Sequence, residues 1–255
     1  MFNSLRNPVK YFFLSLLITV SGFLYASSKA DSLVNELSKY DETTEKADLL
    51  IDICGTYIRS DFQSAISYGN YALNLSKKLG YASGRGKANF RLSYIYNKLD
   101  SLHLAVDYAR NALNDFTESN DTLSLGNVHN QLGFYFYKKN FYDKAIVEYL
   151  KAVQNYELLD HENLIGRTTY NIGLIYYQTK NFRKAETYWL KALESAEKRE
   201  SDEWILYIQQ NLGLVYVEFN DYKKAIKSQQ IALSIAEKRK DYKTVGRVKN
   251  NLANI

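Results

Sequence analysis

Residues 132–152 read LGFYFYKKNFYDKAIVEYLKA, and residues 172–192 read IGLIYYQTKNFRKAETYWLKA. Set one beneath the other, the two stretches share one pattern: an aliphatic residue and a glycine, an aromatic three further on, then an alanine, a bulky ring and a second alanine. The spacing from Leu132 to Ile172 recurs outward in both directions. Ala65, Ala105, Ala145, Ala185 and Ala225 form one column, and Ala72, Ala112, Ala152, Ala192 and Ala232 another. Phe62, Leu102, Tyr142, Phe182 and Tyr222 stand three positions before the first column, and Asp61, Ser101, Phe141, Asn181 and Asp221 one before those. Asp, Ser and Asn cap helix N-termini by accepting hydrogen bonds from otherwise orphaned backbone N–H groups. Four of the five therefore read as N-caps of a helix that carries two alanines, seven apart, on one face.

A second set of columns marks a helix ahead of that one. It comprises Ile53, Leu92, Leu132, Ile172, Leu212 and Leu252, each followed by a small residue: Cys54, Ser93, Gly133, Gly173, Gly213 and Ala253. An aromatic follows at Tyr57, Tyr96, Phe136, Tyr176 and Tyr216. In the first unit the link to the next helix is one residue shorter. A further column, Gly86, Gly126, Gly166 and Gly246 with Leu206 as the exception, reads as lying before the first helix of each unit. Self-similarity at a fixed period of this size is the signature of stacked supersecondary units.

These columns resemble the tetratricopeptide-repeat family, whose pattern is Leu-Gly-x-x-aromatic, then alanine, a bulky residue and alanine. The third and fourth units match best, through Leu132, Gly133, Phe136, Ala145, Tyr149, Ala152 and through Ile172, Gly173, Tyr176, Ala185, Trp189, Ala192. Gly69, Ala109 and Gln229 are weaker at the bulky column, the family's usual proline is absent, and the period is longer than the commoner one of about 34. The resemblance covers residues 46–255 and implies an all-α fold, a right-handed α-solenoid of stacked helix-turn-helix hairpins. One such hairpin cannot bury its apolar face alone, so neighbours must stack. Five hairpins are expected, followed by the first helix of a sixth, because Gly246, Leu252 and Ala253 are in register and Ile255 ends the chain inside the motif. That break predicts a chain short of a complete sixth repeat, with Leu252 and Ile255 exposed; the alternative is that this last helix is itself the cap, since Lys243, Arg247, Lys249 and Asn250 make it polar.

Composition agrees with long helices. Proline occurs once among 255 residues, at Pro8, so the main helix breaker is missing beyond it. The segment 1–30 stands apart, with Arg6 and Lys10, no acidic residue, an apolar run from Tyr11 to Tyr25 and small residues from Ala26 to Ala30. This is the layout of a secretory signal peptide. The alternative is a retained membrane anchor, although the apolar run falls short of the roughly 18–20 residues that span a bilayer. The expectation is thus a signal peptide at 1–30, a leading helix and polar link at 31–45, and the repeat array at 46–255. It is expected to be exported to the periplasm or another extracytoplasmic space, and to meet a membrane only if the leader is kept. Within the link region, Asp31–Tyr40 reads as a capping helix and Asp41–Thr44 as its connection.

Without the segment 1–30, which removes Arg6, Lys10 and Lys29, basic and acidic side chains are nearly balanced, which gives no case for nucleic acid. Cys54 is the only cysteine and sits in the small-residue column, a packing position. His103, His129 and His161 lie in different units without metal-ligand spacing. The Gly84-Arg85-Gly86-Lys87 stretch fails both phosphate-loop patterns, and no nucleophile or paired-carboxylate motif stands out. Asp48 and Asp52 read as solvated helix face. No catalytic site, cofactor or metal is expected.

Stacked hairpins present a face of first helices to a partner. At about 100° per residue, positions five and two before the leucine column and two and five after it point away from the hairpin's own partner helix. The expected peptide-binding residues are Lys87, Phe90 and Tyr94, then Asn130, Phe134 and Tyr137, then Arg167, Tyr170, Leu174 and Tyr177, then Tyr207 and Gln210. Tyrosines and amides of this kind offer contact area and hydrogen bonds to a peptide backbone; the competing reading is packing against the neighbouring repeat. Some members of the family clamp a C-terminal carboxylate with Lys, Asn and Arg, but Phe134 and Leu174 occupy places where the clamp needs polar groups. The resemblance implies a non-catalytic scaffold for a protein or peptide. It extends to the sensory input regions of membrane-bound kinases and transcription regulators, which is the alternative reading.

Overall fold

The computed structural model describes residues 32–255; the leader expected at 1–30 lies outside them. The chain divides into two compact units, the first ending at Asp121 and the second comprising Thr122–Ile255. Among the described residues every long element is an α-helix. The first unit holds α1 (Thr44–Tyr57), α2 (Phe62–Lys78), α3 (Ala82–Lys98) and α4 (Leu102–Glu118). The second holds α5 (Thr122–Lys138), α6 (Tyr142–Glu157), α7 (Glu162–Gln178), α8 (Phe182–Lys198), α9 (Asp202–Glu218), α10 (Tyr222–Lys238) and α11 (Tyr242–Ala253). Within each unit consecutive helices pack as hairpins, and each hairpin packs on the next. This is the all-α stack that the columns predict.

The beat of the chain is the single helix rather than the hairpin. From Phe62 onward helices begin at one constant interval, at Ala82, Leu102, Thr122, Tyr142 and so on to Tyr242. Gly80, Asp100, Asn120, Asn140, Asp160, Lys180, Glu200, Asn220 and Lys240 keep the same interval, and all have positive φ. Each closes a helix in the left-handed region. The next residue's N–H then reaches back to the carbonyl five positions before it, as Ser101 does to Tyr96 at 2.9 Å and Asn181 to Tyr176 at 2.8 Å. This is the Schellman closure, which satisfies carbonyls left orphaned at a helix end. The link after α1 has no such residue; Asp61 N–H instead bonds to the Tyr57 carbonyl at 2.8 Å.

Caps follow the sequence in three of four cases. Asp61, Asn181 and Asp221 accept from backbone N–H groups in the first turn, whereas Ser101 makes no such bond and its hydroxyl lies 3.4 Å from His103 Nδ1. Asp241 and Thr43 also cap. Thr43 and Thr44 therefore belong to the start of α1 and not to the polar link. Ahead of them residues 32–36 are helical and Leu37–Lys39 form a 3₁₀ turn, from which Leu37 packs on the first unit's core.

The cores form where small meets large. Trp189, Tyr149 and Gln229 are fully buried against Gly173, Gly133 and Gly213, and a methyl at any of those glycines would come closer than 3.0 Å to the facing side chain. Gly69, in the bulky column, is matched by Cys54 and Leu92 in the space a side chain would take. Cys54 is fully buried, and burial pushes its thiol up to about 11. The column Gly86, Gly126, Gly166 lies inside α3, α5 and α7 rather than before them. There it receives Phe116, Tyr156 and Ser195 from the following second helices. At the end of the chain Leu252 and Ile255 are half-buried rather than exposed, and Ile255 packs on the second unit's core.

Candidate binding face on the first helices

Within the second unit, α5, α7 and α9 are the first helices of their hairpins. Side chains bridge each to the next. Thr168 Oγ1 donates to Asn130 at 3.3 Å, Gln178 Nε2 to the Tyr137 hydroxyl at 2.7 Å, and Asn211 Nδ2 to the Tyr170 hydroxyl at 2.8 Å. Each bond joins one repeat to the next, so the predicted face doubles as the lateral seam between repeats. Tyr170 also packs on Trp189 and Trp204, and burial raises its phenol against the lowering effect of Asn211 and Arg247. Tyr177 lies beside Trp189 and Phe182, with ring centroids at 5.6 and 5.5 Å. Gln210 is buried, and its carbonyl accepts from Gln229 Nε2 at 3.0 Å. Leu174 is half-buried against the same core.

Three of the predicted residues remain open to solvent. Phe134 is 43% exposed, Tyr207 is 37% exposed, and Arg167 is exposed with its guanidinium 5.6 Å from the centre of the Trp204 ring. Trp204 in turn meets Tyr207 edge-on at 6.2 Å. A cation over a tryptophan face is attracted by the ring quadrupole, and the contact consumes none of the guanidinium's N–H donors. Trp204 does not emerge from the column reading, because it sits one turn before the inspected positions.

In the first unit the same columns carry a different chemistry. Lys87 Nζ pairs with Asp48 at 2.9 Å, and Asp48 also accepts from the Tyr81 hydroxyl at 3.0 Å. Asp48 is therefore an internal counter-ion and not merely solvated surface. Phe90 and Tyr94 are half-buried, and Lys98 lies 5.2 Å from the centre of the Tyr94 ring.

Two further devices escape the sequence reading. Lys144, Lys184 and Lys224, at one position of three successive hairpins, each lie over the aromatic of their own hairpin, Phe136, Tyr176 and Tyr216, at 5.8, 5.1 and 5.3 Å. Tyr57–Tyr68, Tyr96–Tyr108 and Tyr176–Tyr188 stack in register across their hairpins. In the third hairpin Glu148 replaces that tyrosine and pairs with His129 at 2.7 Å, both largely buried. Among the described residues no three His, Cys, Asp or Glu side chains group as a metal site, and no helix is long and apolar enough to cross a membrane.

Residues 164–238, across α7 to α10, match the family described as tetratricopeptide repeat. Over those residues the chain carries tetratricopeptide repeats. No curated protein resembles it in sequence. Among solved structures it is similar to BtubC (BKLC) from P. vanneervenii at 20% identity and a TM-score of 0.70, covering 86% of this chain and 91% of that one. A signal-transduction ATPase with numerous domains from Pyrococcus horikoshii, which has a tetratricopeptide-repeat sensor, gives 18% identity and a TM-score of 0.70. That match covers 82% of this chain and 32% of the other. A Rap protein complexed with competence and sporulation factor gives 15% identity and a TM-score of 0.65, covering 96% of this chain and 73% of that one. At these identities the shared property is the fold alone.

Proposed function

We propose that the chain is a non-catalytic, exported scaffold that holds a protein or peptide along α5, α7 and α9. The observation that carries this is the uncovered aromatic surface there: Phe134 and Tyr207 stay exposed on helices whose neighbouring positions are bonded into the seam. Large rings held rigidly at low entropic cost are what interfaces use as anchors. The Rap protein solved with its bound factor shares this fold, which supports a ligand-holding role. The leader-like residues 1–30 support export. A sensory input role is the second reading, favoured by the repeat sensor of the Pyrococcus horikoshii protein.

Selection from a random peptide library tests the scaffold. Phe134→Ala with Tyr207→Ala weakens binding of a selected peptide on the order of tenfold or more and leaves the melting temperature unchanged, because both side chains are exposed. Wild-type affinity in the double variant contradicts the site. Mass spectrometry of the protein recovered from periplasm tests export. Cleavage between Ala26 and Asp31 is expected, and an uncut chain confined to the cytosol contradicts it.

A further inference from the structure

The charges on the second unit's first helices are one-sided. Within α5, α7, α9 and α11 the only carboxylates are Glu162, Asp202, Glu203 and Glu218, all in the first or last turn of their helix. Glu162 and Asp202 are turned to lysines of the second helices, Lys198 and Lys238. Of the cations away from the ends of these helices, Lys249 pairs with Glu237, which leaves Arg167 and, two repeats on in the same column, Arg247. Both are exposed, and neither makes an ion pair among the described residues. Asp241, occupied in capping α11 through Thr244, feels the Arg247 charge without pairing with it. This contrasts with α8, where Lys198 is bracketed by Glu194 and Glu162. Arg167 lies over the Trp204 ring, which Tyr170 and Tyr207 flank. An arginine anchored over an aromatic ring and lacking a carboxylate presents its planar fork to an incoming one, and Arg–carboxylate pairs of this kind are the strong, directional ones.

We propose that Arg167 selects an acidic peptide, a partner segment that places an internal aspartate or glutamate side chain against its guanidinium and an apolar side chain on Tyr207 and Phe134. This rests on the reading that α5, α7 and α9 bind a peptide. A chain terminus is not the feature recognised, because Phe134 and Leu174 line the positions a terminal-carboxylate clamp would need.

The test is a selection of random short peptides fused at the N-terminus of a display protein, so that none has a free C-terminus, against the full chain. Enriched sequences carry Asp or Glu. A synthetic peptide from that pool loses affinity on the order of tenfold against the Arg167→Gln variant. It loses as much against the unaltered protein when its own carboxylates are replaced by amides, a control that involves no change in the protein. Trp204 emission shifts on binding, while the fully buried Trp189 serves as the internal reference. If enriched peptides show no acidic preference, or the amide peptide binds equally well, charge selection is overturned and peptide binding stands. If no peptide is enriched, both readings fall.

Discussion

The two units place bulk differently in the same hairpin. In the first, Cys54 lies beside Gly69, which leaves room for Leu92, and the Ser93 hydroxyl ties to the Ala105 carbonyl at 2.7 Å ahead of the small Ala109. In the second, three glycines receive three large side chains, Tyr149, Trp189 and Gln229. What the repeat specifies is the joint volume of two facing positions rather than the residue at either one. The units diverge again on the first-helix face. Lys87 is neutralised by Asp48, whereas Arg167, two repeats later in the same column, lies on Trp204 without a carboxylate. The hairpin is common to both units, and the open cation belongs to the second.

The largest break in this comparison is Trp189→Ala, which empties the space facing Gly173 and costs roughly 3–5 kcal/mol. Ala109→Gly, at the same column of the first unit, removes one methyl inside a helix and costs about 1 kcal/mol. Denaturant unfolding of both variants measures the difference. Gly173→Leu forces a side chain into Trp189 and costs roughly 1–3 kcal/mol, and pairing it with Trp189→Leu recovers part of that loss in a double-mutant cycle. Lys191→Leu, on an exposed position of α8, changes stability far less.

A smaller effect follows pH. Burial raises the Glu148 carboxyl, but His129 and Lys151 outweigh it and hold the group below its ordinary value. A carboxylate with a depressed folded pKa stabilises above its unfolded value of about 4.3, and that contribution is lost as pH falls through the folded value. Glu148→Gln therefore lowers stability at neutral pH by on the order of 1 kcal/mol and flattens its decline below about pH 4. The first unit has tyrosines, Tyr68 and Tyr108, in that column, so it lacks this acid-sensitive link.

The smallest effect contrasts the two cations. Lys87→Gln breaks an ion pair whose side chains are both 42% exposed, and costs less than about 1 kcal/mol. Arg167→Gln leaves the melting temperature unchanged and acts on ligand binding instead.

The hairpins were legible because alanine and glycine columns at a fixed period state where backbones approach. The helix closures were less so: only Gly80 and the Asp and Asn positions hint at a left-handed residue, while Lys180, Glu200 and Lys240 adopt it on the strength of the Schellman bonds. The glycine column at Gly86, Gly126 and Gly166 was misplaced because glycine suggests a helix boundary, whereas here it makes room for Phe116, Tyr156 and Ser195. The binding face was half legible. Helical angle alone separates a hairpin's inside from its outside, and it cannot tell the next repeat from solvent. Tyr137, Tyr170, Tyr177 and Gln210 are occupied within the fold, and Phe134, Arg167 and Tyr207 are left outward.

On the proposed function, the ligand sits on this outward face of the second unit. Hydroxyl-radical footprinting of the full chain, with and without a selected peptide, reads it residue by residue. Phe134 and Tyr207 should lose reactivity on binding, while Phe141 and Tyr222, 49% and 47% exposed at the starts of α6 and α10, keep theirs. Protection of Phe141 and Tyr222 with Phe134 and Tyr207 unchanged would place the ligand on the second helices and rule out the first-helix face.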